Sequence, residues 1–348
     1  MHLVRILPNK RQFYLFCRRN FTELKEKMEE NEKKVSVAKS ETALPNADAT
    51  TKKKKEKRQR GDRKDGRRIR NLDSMHAFMP YLLPNRADNE ACMNDYIDIT
   101  ELEKCVAEKN SASPDFKYTV FHYVLAALGK TIAMRPKMNY FYQGHRLYER
   151  KGISFAFTAK RKFEDKSDEA LAIMKFDPDE SLSSIEQMHS KVEKFVTKIR
   201  KKSENDGATD IMGTLAKFPR FIVRFFVHII NRLDYHGWLP SSFLDVDPYH
   251  CTVFVSNLGS IKTTANYHHL ANWGTNSLFV IVGEIKKRMT LDEEGNTVVK
   301  RMMPVGLTVD ERIADGFYFA KSFKLFKYLL EHPSLLELPS SETIDYEF

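Results

Sequence analysis

Cysteine is scarce and unpaired in this sequence. Cys17, Cys92, Cys105 and Cys251 form no CxxC pair and no zinc-site spacing, so free thiols in a reducing compartment are expected, not a disulfide framework or a zinc module. No run of 18 apolar residues occurs, so no membrane-spanning helix is expected. Residues 1–20 carry Arg and Lys but no uninterrupted apolar stretch, which argues against a secretory signal. A transit peptide stays open, although Glu-rich sequence follows at once, and a cytoplasmic protein is the expectation. There is no Gly-rich phosphate loop, no GxSxG elbow and no HExxH pair. No internal repeat is found.

Charge is present but unevenly placed. The 348 residues carry a net +10, yet residues 1–70 hold 22 Lys and Arg against 10 Asp and Glu, and the remainder holds 35 against 37. The basicity therefore belongs to an N-terminal arm, residues 1–65, expected to be largely disordered. Within it, residues 22–34 have the composition of an exposed charged helix, and residues 52–70 form a basic run. No aromatic is interleaved with that run, so no stacking platform forms and no specific nucleic-acid partner is expected.

From Gly66 the pattern changes. A hydrophobic share of 42% supports a real core, and no linker interrupts residues 66–348, which read as one domain. YIDIT (96–100) alternates like a short strand. Residues 117–134 are apolar at helical spacing and stop at Arg135-Pro136. Residues 153–159 and 170–176 read as a strand pair, and 181–202 as a charged amphipathic helix. Strands are expected at 252–257, 278–283 and 303–309. The last two flank a hairpin that turns at residues 292–296, and a final helix spans about Phe317 to Leu330. Helices interspersed with strands argue for a mixed α/β or α+β domain around one sheet.

Several stretches bear on chemistry. His268 and His269 are adjacent and would diverge on a strand, so they read as polar loop histidines, and no metal site is expected. In residues 213–239, Arg220, Arg224, His228 and Arg232 recur every fourth residue, while Phe221, Ile222, Phe225, Phe226, Ile229 and Ile230 cover the other faces. Three readings stay open for that segment: a core or interface helix with a wet basic edge, a helix in peripheral contact with a membrane surface, or the lining of a channel for a long anionic cofactor. In CTVFVSNLGSIKTT (251–264), Ser256 stands at the end of a β-like run and before Gly259, where its hydroxyl is placed to enter a cavity; an ordinary turn is the plainer reading. In VDERIADGFY (309–318) a strand runs into Asp315-Gly316 and directly into a helix. Asp315 is placed to cap that helix.

Together these stretches resemble a known family. SNLGS, followed about fifty residues later by Arg312-x-x-Asp315-Gly316 and a helix ending in HPSLLE, is similar to the catalytic domain of the 2-oxo acid dehydrogenase acyltransferases. Chloramphenicol acetyltransferase shares that fold. Residues 117–142, with Pro136 and Asn139 in a Pro-x-x-Asn turn, and GISFAFTAKRKF (152–163) extend the resemblance over roughly 66–337. It implies a two-layer α/β fold with a mixed sheet, a homotrimer with sites between subunits, coenzyme A or acyl-CoA as cosubstrate, and a small-molecule acyl acceptor. It also implies that Ser256 donates to an oxyanion and that Asp315 is structural. It offers no match for particular coenzyme-binding residues. Residues 1–65 are too short and too charged for a lipoyl domain and show no lipoylation site.

One position departs from the pattern. Where the resemblance implies a catalytic histidine, the chain has Glu311. A carboxylate at its ordinary pKa is a weaker base than imidazole by roughly two units. The apolar neighbours Ile313, Phe317 and Phe319 would raise that value, and Arg312 turned inward would lower it. Glu311 thus reads either as an altered base acting on an amine or hydroxyl acceptor, or as the remnant of a disabled site tied up in a salt bridge. The protein is accordingly read as an acyltransferase, or as a non-catalytic trimeric scaffold of the same fold.

Overall fold

A computed structural model describes residues 58–160, 169–201, 213, 217–292 and 294–346. The expected charged helix at 22–34 and the first part of the basic run lie outside the described residues. Strand β1 (Gly66–Arg68) precedes helix α1 (Ser74–Leu82), which Asp73 caps by accepting from the His76 backbone. Strand β2 (Glu90–Asp98) and helix α2 (Thr100–Ser111) follow, then helix α3 (Val120–Met134). Thr119 and His122 close the N-terminus of α3 as a capping box, and the chain leaves it at Arg135-Pro136 as the sequence implies. Next come the short strands β3 (Tyr140–Gln143) and β4 (Arg146–Arg150), then β5 (Ile153–Lys160), β6 (Glu169–Phe176) and helix α4 (Ser184–Lys201). Helices α5 (Arg220–His236) and α6 (Ser241–Val246) lead to β7 (Val253–Asn257) and β8 (Leu278–Val282). A hairpin of β9 (Lys286–Leu291) and the long β10 (Thr297–Asp310) then delivers the chain to helix α7 (Gly316–Glu331).

Seven of these strands make one mixed sheet in the order β2-β10-β8-β7-β5-β6, with β9 added to the outer half of β10. β7 lies parallel to both β8 and β5, and the remaining pairs are antiparallel. One face carries the main core: Phe155, Val253, Val255, Val280, Val305, Leu307 and Val309 pack against Leu125, Leu128, Phe326 and Leu329 of α3 and α7. Gly129 brings α3 close to the sheet, since a Cβ there would sit 2.6 Å from the buried Phe176 ring. The opposite face holds a smaller cluster around Phe254, Phe279 and Ile281. Residues 264–267 cross directly over that face, and a Cβ at Gly283 or Gly306 would collide with the backbone of Ala265 or Asn266. The architecture is therefore the expected two-layer α/β arrangement with a mixed sheet.

Most boundaries shift by a few residues from the sequence reading, β10 reaches back to Thr297 where a strand over 303–309 is expected, and two further differences change what a residue does. β2 begins at Glu90 and ends at Asp98, not at residue 100. Asp98 accepts from the Thr100 backbone (3.0 Å) and hydroxyl (2.6 Å), so Thr100 opens α2 in place of ending a strand. Residues 58–65, assigned above to the disordered arm, include part of the folded body. Arg63 is fully buried against Asp65 and Asp234, and two ion pairs with good geometry offset the cost of burying its charge.

Candidate active site

The segment after β10 is built on a buried ion cluster. Asp310 is wholly buried and takes a two-pronged contact from Arg312, Nε to Oδ1 at 2.8 Å and Nη2 to Oδ2 at 2.7 Å. Arg312 also donates to the carbonyls of Leu83 (3.0 Å) and Pro84 (3.2 Å), which ties this corner to the end of α1. Arg86 approaches Asp310 at 3.7 Å and donates to the carbonyls of Ala271, Gly274 and Tyr142. Burial draws the Arg86 guanidinium down to about 10, against the pull of Asp310. Asp310 also caps the short turn at Glu311–Ile313 through the Arg312 backbone (3.3 Å). The turn is thus held rigid from beneath.

Glu311 stands on that turn and is exposed. The apolar surround expected from Ile313, Phe317 and Phe319 does not form within one chain. Ile313 and Phe319 point into the core, and Phe317 is itself open to solvent. Arg312 does turn inward, but onto Asp310. No ion pair of Glu311 with a described residue is present, so the salt bridge of the disabled-site reading is not found among the described residues. Asp315 caps α7, accepting from the Tyr318 backbone at 2.8 Å.

Ser256 lies at the far end of the sheet. It is half-buried near the end of β7, on the face opposite the helices, and its register partners are Ile281 and then Gly306. Its hydroxyl has no hydrogen-bond partner among the described residues. The turn behind it is tight: a Cβ at Gly259 would sit 2.7 Å from the Gly283 carbonyl oxygen, and Ser260 closes back on the Asn257 carbonyl (2.8 Å). From Gly306, Asp310 is four residues along β10, about 13 Å at the usual strand rise, and Glu311 lies beyond it. One chain therefore brings Glu311 and Asp315 together at one end of the sheet and leaves Ser256 at the other.

A second buried cluster was not legible as a site. His250 Nδ1 meets Asp247 Oδ2 at 2.9 Å, and its Nε2 lies 3.4 Å from Asp234 Oδ1, a charge contact more than a well-formed hydrogen bond. Burial alone would lower the imidazole, but the two carboxylates prevail and hold it up at about 9. Asp234 is held down at about 2: burial opposes this, and His250 and Arg63 outweigh it. Trp273 donates to Asp247 (2.7 Å), and Arg150 donates to the carbonyls of His250 and Thr275. A cavity of about 700 Å³ reaches Arg150, His250 and Cys251, but none of Ser256, Glu311 and Asp315 lines it. His250 and Cys251 do not make a nucleophilic pair. The histidine is already protonated near neutrality, and burial pushes the Cys251 thiol up to about 12. Among the described residues no group of three or more His, Cys, Asp or Glu side chains is placed to hold a metal. His268 and His269 stack on each other at 4.6 Å in an exposed loop.

Residues 247–338 match the family described as 2-oxoacid dehydrogenases acyltransferase (catalytic domain). No curated protein matches the chain closely. Solved structures show the same fold. A probable dihydrolipoamide acetyltransferase from Listeria monocytogenes 4b F2365 aligns over 76% of this chain and 95% of its own, with a TM-score of 0.51 and 15% identity. The cubic core of the pyruvate dehydrogenase multienzyme complex aligns over 85% of this chain and 100% of its own, with a TM-score of 0.50 and 13% identity. So does the dihydrolipoamide acetyltransferase of Azotobacter vinelandii, over 85% and 100% with a TM-score of 0.50 and 15% identity. A serine, a histidine and an asparagine have been investigated in its catalytic mechanism.

Proposed function

We propose, from the acyltransferase catalytic-domain fold and the matched segment as premise, that this chain is an acyl-CoA-dependent transferase. Its site is completed between copies of the chain in a homotrimer: Ser256 of one copy faces Glu311 of the next. The observation that carries this reading is the placement of the candidate groups. A rigid turn presents Glu311 at one end of the sheet, while the hydroxyl of Ser256, without a hydrogen-bond partner among the described residues, lies at the other, too far away to cooperate within one chain. In the Azotobacter protein the histidine and asparagine named for the mechanism stand four positions apart, as Glu311 and Asp315 do here.

In this arrangement the Ser256 hydroxyl donates to the oxyanion that forms when the acceptor attacks the thioester carbonyl. Glu311 takes the proton from the acceptor as its new bond to the carbonyl carbon forms; the tetrahedral intermediate then collapses, the C–S bond breaks, and the protonated Glu311 returns the proton to the departing coenzyme A sulfur. An ionised carboxylate repels an incoming thiolate nucleophile, which favours an amine or hydroxyl acceptor, attacking in its neutral form, over a thiol. Asp315 holds the start of α7 in place, and Asp310 with Arg312 fixes the turn that carries Glu311.

The test is a screen of acyl-CoA donors against hydroxyl, amine and thiol acceptors, run on the wild type, Glu311→Gln and Glu311→His. Turnover with an amine or hydroxyl acceptor that Glu311→Gln lowers by roughly 100-fold or more supports the reading. A rate unchanged in Glu311→Gln would remove the carboxylate from catalysis. The second reading, a non-catalytic trimeric scaffold, is favoured by the same substitution of Glu for the expected histidine. A trimer inactive with every donor and acceptor would establish it.

A further inference from the structure

Helix α5 buries little of itself. Of its residues only Ile222 and Asp234 are buried. Phe221 (63% exposed), Phe225 (62%) and Ile229 (36%) form one row at i, i+4 and i+8. Arg220, Arg224, His228 and Arg232, all exposed, form the adjoining row. At 3.6 residues per turn the two rows share one half of the helix circumference. That half carries no carboxylate, because the sole acidic residue of α5, Asp234, is turned inward onto Arg63 and His250.

The helix is held firmly at its far end. Arg63 and Gln143 both donate to the Asp234 side chain, and Gly237 in the left-handed conformation closes a Schellman cap, with Gly237 N to Asp234 O and Trp238 N to Leu233 O at 2.9 Å each. Trp238, 64% exposed, stacks on His236 just past that end. The exposed face continues onto α1, where Met75, Phe78, Tyr81 and Leu82 are also open. Tyr81 stacks on His145 at 4.7 Å, and His145 meets Tyr235 at 5.9 Å.

Aromatic and aliphatic side chains beside arginines, along a rigid helix about 25 Å long and flanked by a tryptophan, match the apolar-to-headgroup boundary of a bilayer. The arginines complement phosphate headgroups, and the phenylalanines reach the acyl region. Duplex nucleic acid would reward the arginines and leave the phenylalanines exposed, and a single strand could stack bases on Phe221 and Phe225 but would leave the aliphatic Ile229, Met75 and Leu82 uncovered. An apolar protein groove would have to desolvate the arginines. No described helix is long and apolar enough to cross a membrane, so contact is with the surface. We propose that the α5 face, extended by α1, docks this protein flat on an anionic lipid surface.

The experiment is co-sedimentation of the full chain with vesicles of phosphatidylcholine containing about three parts in ten phosphatidylglycerol, against phosphatidylcholine alone. Binding is expected only to the anionic vesicles. Each basic side chain at such a surface is worth about fivefold in affinity, so Arg224→Glu with Arg232→Glu should weaken binding by at least about 25-fold. Phe221→Ser with Phe225→Ser should weaken it at least tenfold at unchanged charge, by loss of inserted apolar area. Circular dichroism and sedimentation velocity on each variant confirm that fold and assembly are retained. Binding that is equal on neutral vesicles, absent, or insensitive to both double variants would overturn the proposal. Binding of a short single-stranded RNA by the wild type, weakened by the Arg variant and without vesicle binding, would assign the face to a polyanion and overturn it. Dissociation of the oligomer in the Phe variant, without vesicle binding by the wild type, would assign it to a second copy and do the same.

Discussion

Two buried histidines set the pH dependence of stability in opposite directions. His250, locked between Asp234 and Asp247 with Arg63, Arg150 and Asp65 nearby, titrates at about 9 in the folded chain, above the ordinary 6.5. Because its folded value is raised, its contribution is fully present below pH 6.5 and is lost as pH rises through 9. At 1.36 kcal/mol per unit the contribution is about 3 kcal/mol, most of it gone by pH 9. His122 is the reverse case. Burial, reinforced by His189, holds it down at about 4, so its contribution is present above pH 6.5 and is lost as pH falls through 4. Stability should therefore peak near pH 6.5. The assay is urea unfolding at pH 5, 6.5 and 9, followed by the fluorescence of Trp238 and Trp273, the latter bonded to Asp247 in the same cluster. Between pH 6.5 and 9 the wild type should lose roughly 2–3 kcal/mol. His250→Gln should start less stable at pH 6.5 and change little over that interval. A wild type that is flat from pH 6.5 to 9, or a His250→Gln variant that keeps the wild-type slope, would refute the assignment of a charged His250 to this cluster.

Other perturbations test other parts of the structure. Arg312→Ala leaves the buried Asp310 with the longer Arg86 contact as its remaining ion pair among the described residues, so it should destabilise the fold by about 3–5 kcal/mol, read from denaturant midpoints. Arg312→Lys should recover part of this, since a single ammonium cannot reproduce the two-pronged contact. Gly129→Ala is favoured by helix propensity by about 1 kcal/mol, but its methyl would meet the Phe176 ring. The net effect should be destabilising by about 1–3 kcal/mol, and pairing it with Phe176→Leu should relieve the loss. Ser256→Ala should lower acyl transfer by roughly 10- to 1000-fold with unchanged unfolding, and an unaltered rate would return Ser256 to the role of a turn residue.

Where local pattern and global packing agree, the architecture could be read from residue order. Helix α3 shows apolar spacing ended by Arg135-Pro136, and the inner half of β10, from Met303 to Val309, shows a nearly continuous apolar run. The order of Ser256, Asp315 and Gly316 was equally legible, because each marks a strand end or a helix start. The Ile97–Ile99 alternation ran past the true end of β2, because it cannot show that Asp98 recruits Thr100 into a helix. The buried charges were hidden for a different reason. Asp234 finds Arg63 across 171 residues, and Arg312 reaches Leu83 across 229. Read in sequence, Asp234 and Arg312 are merely polar residues. The environment of Glu311 is not legible in the sequence, because its neighbours along the chain are not its neighbours in space. Ile313 and Phe319 belong to the core, while Glu311 is exposed.

The most direct test of a site shared between copies is complementation. Ser256→Ala and Glu311→Gln chains, each strongly reduced in activity alone, are mixed in equal amounts, unfolded and refolded together, and assayed for acyl transfer. If Ser256 of one copy serves with Glu311 of another, random assembly places both native groups at about a quarter of the sites, and activity should return to about a quarter of the wild-type level. Activity that stays at the level of the separate variants, in mixed oligomers shown to have formed, would contradict the account.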